Sequence, residues 1–456
     1  MLDFIEKLMT SLWNHLQGRR GKGEQSGIAL GFSVADDAVT RRRMGLSHTR
    51  RTMHIAVLGK TGSGKSSLLR FMAQQDIQAG RGFVYFDQHG DTTPFLLSTI
   101  AAEESKREQE LHEKLIVVAP ADTEFSVGLN PLEQAEVSFV RVAEFAQVLK
   151  RRWGLEHFGA RTDELLRNTL FVLSANGLTL LELAPLLTHS DFRASCLKKT
   201  PNIEVRQYFE SRYNQASEPM QATMREPILN KTSAFTADPS FRHIVGQPQS
   251  TFSVTEAMDQ GHWIIANLEK GKLGEQSLTL GSLLFTIVKN ALFSRTKRSL
   301  FTVYVDEVQN FLAYDTGIET VLSEARKFGI SVVSANQYLS QYPDEMRAAI
   351  LSVGTHIFFQ LSPVDATQIA QALDGGKYLA ERLKNLPPRQ FVVKSGADHW
   401  AQGCTPNVVD PQVSFSDLLN RARVHRGRPR AEVELEIERR HAALTRTTDE
   451  VLNEWE

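Results

Sequence analysis

The run HIAVLGKTGSGKSSLLRFMAQQDIQAG, residues 54–80, decides the fold. Ile55 to Leu58 is a short apolar run that enters a glycine-rich turn. Beyond the turn, apolar side chains recur at helical spacing until Gly80 closes the segment. The pattern predicts strand, loop and helix. The loop itself, Gly59 to Ser66, reads GKTGSGKS and fits GxxxxGK[ST] in full. Its glycines let backbone N–H groups curl around a triphosphate at a helix N-terminus, where the dipole and unpaired donors favour anions. Gly59, Lys60, Thr61, Gly62, Ser63, Gly64, Lys65, Ser66 and Ser67 are therefore expected to bind ATP. Lys65 should reach the β- and γ-phosphates, and Ser66 should place its hydroxyl on Mg2+.

Working outward, GFVYFD ends a second strand at Asp87 and KLIVVAP a third at Pro120, so strands alternate with helices as in a parallel α/β sheet. Between about Glu133 and Val245 the strand signals stop, and segments such as SFVRVAEFAQVLKRRW and TDELLRNTLFVLSANG show helical periodicity. Strand-like runs return with HWIIANL, FTVYVDE, GISVVSANQ and HIFFQLS. The fold class expected is α/β, a P-loop NTPase core with a parallel sheet flanked by helices, plus an inserted all-α domain. Residues 1–25 read as an amphipathic helix and linker, 26–132 and 251–411 as the two parts of the core, 133–250 as the insertion, and 412–456 as a charged helical tail. In the first helix, Phe4 or Ile5, Leu8, Leu12 and Leu16 share a face with Trp13 beside them, a pattern that suits packing on the domain or docking on a membrane surface or partner.

Composition narrows the function classes. With 456 residues, 41% hydrophobic and 23% charged, the chain is neither disordered, collagen-like nor membrane-embedded. Lys and Arg number 52 against 53 Asp and Glu, a net charge of −1, so any nucleic-acid contact must be local. The clusters available are Arg41 to Arg43, Lys150 to Arg152, and Arg421 to Arg430. Cys196 and Cys404 lack zinc or disulfide spacing, and the basic residues of the N-terminus follow its apolar run, the reverse of a secretory signal. The expectation is a cytoplasmic protein, with contact at the inner membrane through its first helix left open.

The remaining chemistry gathers at strand ends. In LFTVYVDEVQNF, Asp306 and Glu307 close an apolar strand, which puts two carboxylates at the edge of the sheet where the phosphate loop should lie. Asp306 is expected to hold Mg2+ through water, and Glu307 to polarise the attacking water. GISVVSANQ ends at Asn336 and Gln337, where an amide either senses the γ-phosphate or caps the strand. In EARKFG, Arg326 is placed either to reach a neighbour's nucleotide as a finger or to neutralise a helix C-terminus. Asp87, His89 and Asp91 follow the second strand. With no matching ligands elsewhere, they read as a structural or nucleotide-side polar loop in preference to a metal site.

Taken together, GKTGSGKS, YFDQHGD, APADTEFSVGLNPL, VDEVQNF, EARKFGISVVSANQYLSQ and VGTHIFFQLSPVDA resemble the HerA/FtsK-type P-loop ATPases, in the branch that holds the TraG/TraD coupling proteins of type IV secretion and conjugation. The resemblance runs from about Gly31 to Pro406. It implies a RecA-like ATPase that assembles as a ring, usually a hexamer, and pumps DNA through its centre. It also implies that Lys65 and Ser66 are the phosphate-loop pair, Asp306 and Glu307 the second acidic motif, Gln337 the sensor and Arg326 the finger. Relaxosome or secretion-channel proteins are the partners it suggests. Two departures stand out: the family's usual DPHGD reads DQHGD here, with Gln88 for proline, and the membrane-spanning helices common in coupling proteins are replaced by one short amphipathic helix. Other readings are a HerA-like DNA-processing motor that works with a separate nuclease, and an ATP-dependent adaptor that recruits protein cargo.

Overall fold

The computed structural model describes residues 27–133, 138–307, 318–342 and 344–445. The amphipathic N-terminal helix, the end of the VDEVQNF motif and the last residues of the tail lie outside them.

Thirteen strands are defined: β1 Gly27–Ala35, β2 Ala38–Ser47, β3 Ile55–Leu58, β4 Phe83–Asp87, β5 Leu115–Val118, β6 Phe125–Ser126, β7 Trp263–Asn267, β8 Phe301–Asp306, β9 Ile330–Asn336, β10 Thr355–Phe358, β11 Gln390–Ser395, β12 Ala401–Cys404 and β13 Arg428–Pro429. Among the described residues they form an 11-stranded sheet in the order β2-β1-β12-β11-β10-β3-β9-β8-β4-β7-β5, and a small β13-β6 pair. From β10 to β5 neighbours run parallel, whereas β10-β11, β11-β12, β12-β1 and β1-β2 are antiparallel.

The parallel strands are the apolar runs of the sequence because both of their faces are covered. In β4, Val84 and Phe86 enter one core while Phe83 and Tyr85 enter the other; in β3, Ala56 and Leu58 alternate with Ile55 and Val57 in the same way. Helices α1 (Lys65–Gln78) and α2 (Thr93–Arg107) cover one face through Leu68, Leu69, Met72, Phe95, Leu96 and Ile100. The opposite face packs on α3 (Phe139–Arg152), α4 (Gly159–Ala175) and α5 (Glu275–Phe293), and its core continues without a break into the helical segment.

The two sheet edges differ. Strand β5 is covered by α6 (Ser416–Arg426), whose Leu418 and Ala422 join the α1-side core. A final helix, α7 (Arg430–Thr445), lays Val433 and Ile437 against Leu181 of the helical segment. At the other edge, β2 leaves Arg41, Arg42 and Arg43 exposed. Charged side chains along an open edge discourage pairing with a foreign strand.

The arginines of the C-terminal segment are engaged within the chain. Arg421 pairs with Glu104 and Asp417, Arg423 with Asp122 and Arg428 with Glu436, while Arg426 and Arg430 donate to the carbonyls of Glu113 and Pro120. The contacts with Glu104, Asp122, Glu113 and Pro120 fasten the C-terminal segment to the body of the protein. Lys150 and Arg152 are likewise committed, to Asp163 and to Glu275 and Thr279. Of the three basic clusters, the one on β2 keeps its exposure.

Candidate nucleotide site

The loop between β3 and α1 is held from three sides. Gly59 N–H donates to the Asn336 carbonyl (3.1 Å), Lys60 N–H to the Gln360 carbonyl (2.8 Å), and the Ser63 carbonyl accepts from Arg389 N–H (2.8 Å). Gly64 sits at φ +118°, and a Cβ there would lie 2.9 Å from the Arg389 Cα, so the position requires glycine. The loop is thereby a preformed cradle at the N-terminus of α1, a 14-residue helix.

Lys65 lies inside that cradle, 7% exposed, and its ammonium donates to the carbonyls of Gly59 (2.6 Å) and Lys60 (3.1 Å). Burial pushes its pKa down, and the nearby carboxylates Asp306 and Glu307 oppose that shift. Ser66 Oγ donates to Asp306 Oδ2 at 2.7 Å, which joins the phosphate loop to the end of β8. Burial raises the Asp306 carboxyl above its ordinary range, against the Ser66 hydrogen bond and Lys65. A hydroxyl and a carboxylate in contact beside a phosphate cradle are hard oxygen donors of the kind Mg2+ takes, since that ion completes its shell with water and phosphate oxygens. No group of three or more His, Cys, Asp or Glu among the described residues forms a cage of its own. The donor set thus fits Mg2+ held jointly with a nucleotide.

The carboxylates lie next to the phosphate loop, as the sequence suggested, although their strand is not the neighbour of β3. Strand β9 runs between β3 and β8, because it pairs with both. This insertion brings the end of β9 into the centre of the site. Asn336 is fully buried beneath the loop, whereas Gln337 is half-buried and donates through Nε2 to Glu307 Oε1 at 3.2 Å. Glu307 has φ +53°, a left-handed conformation that is uncommon for a non-glycine residue. Its other oxygen, Oε2, lies 3.1 Å from His89 Nε2, a contact that no local sequence pattern reveals.

The DQHGD loop resolves into two jobs. Asp87 accepts from the N–H groups of Gly90 (3.0 Å), Thr92 (2.9 Å) and Thr93 (2.6 Å) and from the Thr93 hydroxyl (2.7 Å), so it caps the start of α2. Asp91 uses its carbonyl to accept from Arg70. Only His89 turns toward the nucleotide side.

Arg326 lies elsewhere. It is exposed on the turn Ala325–Phe328 that leads into β9, at the opposite end of that strand from Gln337. Seven residues of strand separate them, about 23 Å at ~3.3 Å per residue. An arginine side chain cannot span that distance, so Arg326 does not serve its own subunit's site. Gln360 and Arg389, whose backbones fix the loop, carried no signal in the sequence, because their contacts cross about 300 residues of chain.

Residues 46–232 match the family model described as Helicase HerA, central domain. No curated protein matches the chain significantly. Among solved structures, the unbound form of the bacterial conjugative coupling protein TrwB is 17% identical with a TM-score of 0.59, over 87% of this chain and 94% of that one. TrwB in complex with ADP and Mg2+ is 18% identical, with a TM-score of 0.59 over 88% and 92%. VirB4 of Thermoanaerobacter pseudethanolicus is 15% identical, with a TM-score of 0.54 over 86% and 99%. The phosphate loop, the acidic strand end and these similarities agree, and the chain has the fold of the HerA/FtsK-type P-loop ATPases that its motifs resemble.

Proposed function

We propose that the protein is an ATP-driven motor that assembles as a ring, in the manner of conjugative coupling proteins, and moves DNA. The observation that carries the ATPase reading is the convergence of Lys65, Ser66, Asp306, Glu307 and Gln337 around one preformed phosphate cradle. Lys65 would leave its carbonyls for the β- and γ-phosphates, and Mg2+, held by Ser66 and Asp306, would neutralise charge on the bridging oxygens. That TrwB binds ADP with Mg2+ in the same fold supports the pairing. Glu307 takes the proton of the attacking water as the new P–O bond forms and the bond to the ADP oxygen breaks. Gln337 reports the γ-phosphate through its contact with Glu307.

The position of Arg326 supports the ring. It is exposed, it makes no ion pair among the described residues, and its own nucleotide is out of reach, so its use as a finger requires a neighbouring subunit. DNA would then meet a few cations per subunit repeated around a pore, with the exposed arginines of β2 as candidates. The match of residues 46–232 to the HerA central domain favours a second reading, a DNA-processing motor that works with a separate nuclease.

The test is the ATPase rate of the purified protein with and without single- and double-stranded DNA, beside Lys65→Ala and Glu307→Gln, together with its mass by light scattering. A DNA-stimulated rate that both substitutions abolish, in a particle several subunits large, is expected. A monomer whose turnover ignores DNA would refute the motor reading and leave the adaptor.

A further inference from the structure

The strand order β9-β8-β4 sets three strand ends side by side: the middle one carries a carboxylate, and each of its two flanking ends supplies one polar side chain to it. Glu307 follows β8. Gln337, after β9, donates to its Oε1 at 3.2 Å, and His89, after β4, lies 3.1 Å from its Oε2. An ionised carboxylate only accepts, so His89 Nε2 carries the proton and donates.

The mount of His89 is unusually fixed for a loop. Asp87 binds four donors of the following turn, the Gln88 carbonyl accepts from Lys270 N–H at 2.8 Å, and a Cβ on Gly90 would lie 2.8 Å from Glu269 Cγ. Yet the His89 side chain itself is 53% exposed. A contact so open to solvent adds little to stability, which leaves orientation of the carboxylate as its use.

We propose that His89 is a positioning residue for Glu307: with Gln337 on one oxygen and His89 on the other, the carboxylate plane is fixed to receive the proton of the attacking water. The inference rests on the reading of Glu307 as the base. Without the His89 contact the carboxylate turns about its side-chain torsions, and part of the general-base contribution, about tenfold, is lost. A residue that acts through Glu307 alone is expected to leave nucleotide affinity as it was.

The experiment compares His89→Phe, His89→Gln, Glu307→Gln and the double variant Glu307→Gln/His89→Phe by steady-state ATPase kinetics, with affinity for a fluorescent ATP analogue measured separately. His89→Phe is expected to lower kcat about tenfold with KM and analogue affinity within about twofold. His89→Gln, which can bring an amide N–H near the Nε2 position, is expected to recover most of the loss. In the Glu307→Gln background, His89→Phe should cost nothing further. A His89→Phe enzyme with native kcat, or one whose loss persists undiminished on top of Glu307→Gln, would overturn the proposal while the base reading stands. If Glu307→Gln itself turned over at the native rate, the base reading would fall, and this proposal with it.

Discussion

The clearest structural lever is the buried ion pair of Arg51 and Asp76, both 0% exposed. Arg51 donates from Nη1 to Asp76 Oδ1 at 2.8 Å and from Nη2 to Oδ2 at 2.7 Å, Arg81 Nε reaches Oδ1 at 2.7 Å, and the Tyr304 hydroxyl donates to Oδ2 at 2.6 Å. Asp76 belongs to α1 and Tyr304 to β8, so the network fixes the phosphate-loop helix to the strand that presents Asp306. Asp76→Ala strands the Arg51 guanidinium in the core and removes the acceptor of Tyr304. The expected cost is about 3–5 kcal/mol. Arg51→Met leaves Asp76 with Arg81 and the Tyr304 and Thr302 hydroxyls, and should cost slightly less. The pair Arg51→Met/Asp76→Ala strands no buried charge, because Arg81, 17% exposed, can turn to water. It should therefore lose at least ~2 kcal/mol less than the sum of the single changes.

Urea unfolding of the four proteins, followed by far-ultraviolet circular dichroism, measures the cycle. Single variants within about 1 kcal/mol of the parent, or a double variant whose loss equals the sum, would refute the argument. The pH dependence has a definite sign. Burial alone would raise the Asp76 carboxyl, but Arg51 and Arg81 outweigh it and hold the folded-state pKa below its ordinary value. The pair's contribution is thus fully present above the unfolded-state pKa of about 3.9 and is lost as pH falls through the lower folded value. Asp76→Asn should lack that component of the acid transition.

Other consequences follow from the same geometry. Gly64→Ala forces a Cβ to 2.9 Å from the Arg389 Cα at φ +118°; its strain should cost about 1–3 kcal/mol and weaken nucleotide affinity, read by analogue titration. Arg326→Ala should reduce kcat by about a thousandfold or more. Mixing it with Glu307→Gln subunits should restore some turnover, since a mixed ring pairs intact fingers with intact bases; absence of recovery at every ratio would count against a finger in trans. Replacing Arg421 and Arg423 with alanine should lower stability by about 1 kcal/mol, because their partners are Glu104 and Asp122. The salt slope of DNA binding should then change by less than about one, whereas Arg41→Ala/Arg42→Ala should reduce it by about two. Equal slopes for the two sets would refute the assignment of DNA contact to β2.

Much of the site was legible because its parts are local. A phosphate loop is a strand, a turn and a helix in one unbroken run, and Asp306, Glu307 and Gln337 declare themselves as polar residues that end apolar strands. The parallel strands were equally plain, since burial on both faces writes a continuous apolar run. The antiparallel wing was not read: β2 is an exposed edge whose AVTRRRMGLS shows no clean alternation, and β12 is the four-residue AQGC.

The sequence by itself determined which chemistry the chain carries. What the tertiary structure decided is which of those groups meet. Sheet order placed β9 between the phosphate loop and the acidic strand, and β4 on the far side of β8, so that His89 and Gln337 close on Glu307 from opposite flanks. It separated Arg326 from its own nucleotide by the length of a strand, and it engaged Arg421 and Arg423 of the C-terminal segment with Glu104 and Asp122 of the body. Spacing along the chain specifies the state of a segment, but the neighbours of a strand are set by the burial of whole faces against residues hundreds of positions away.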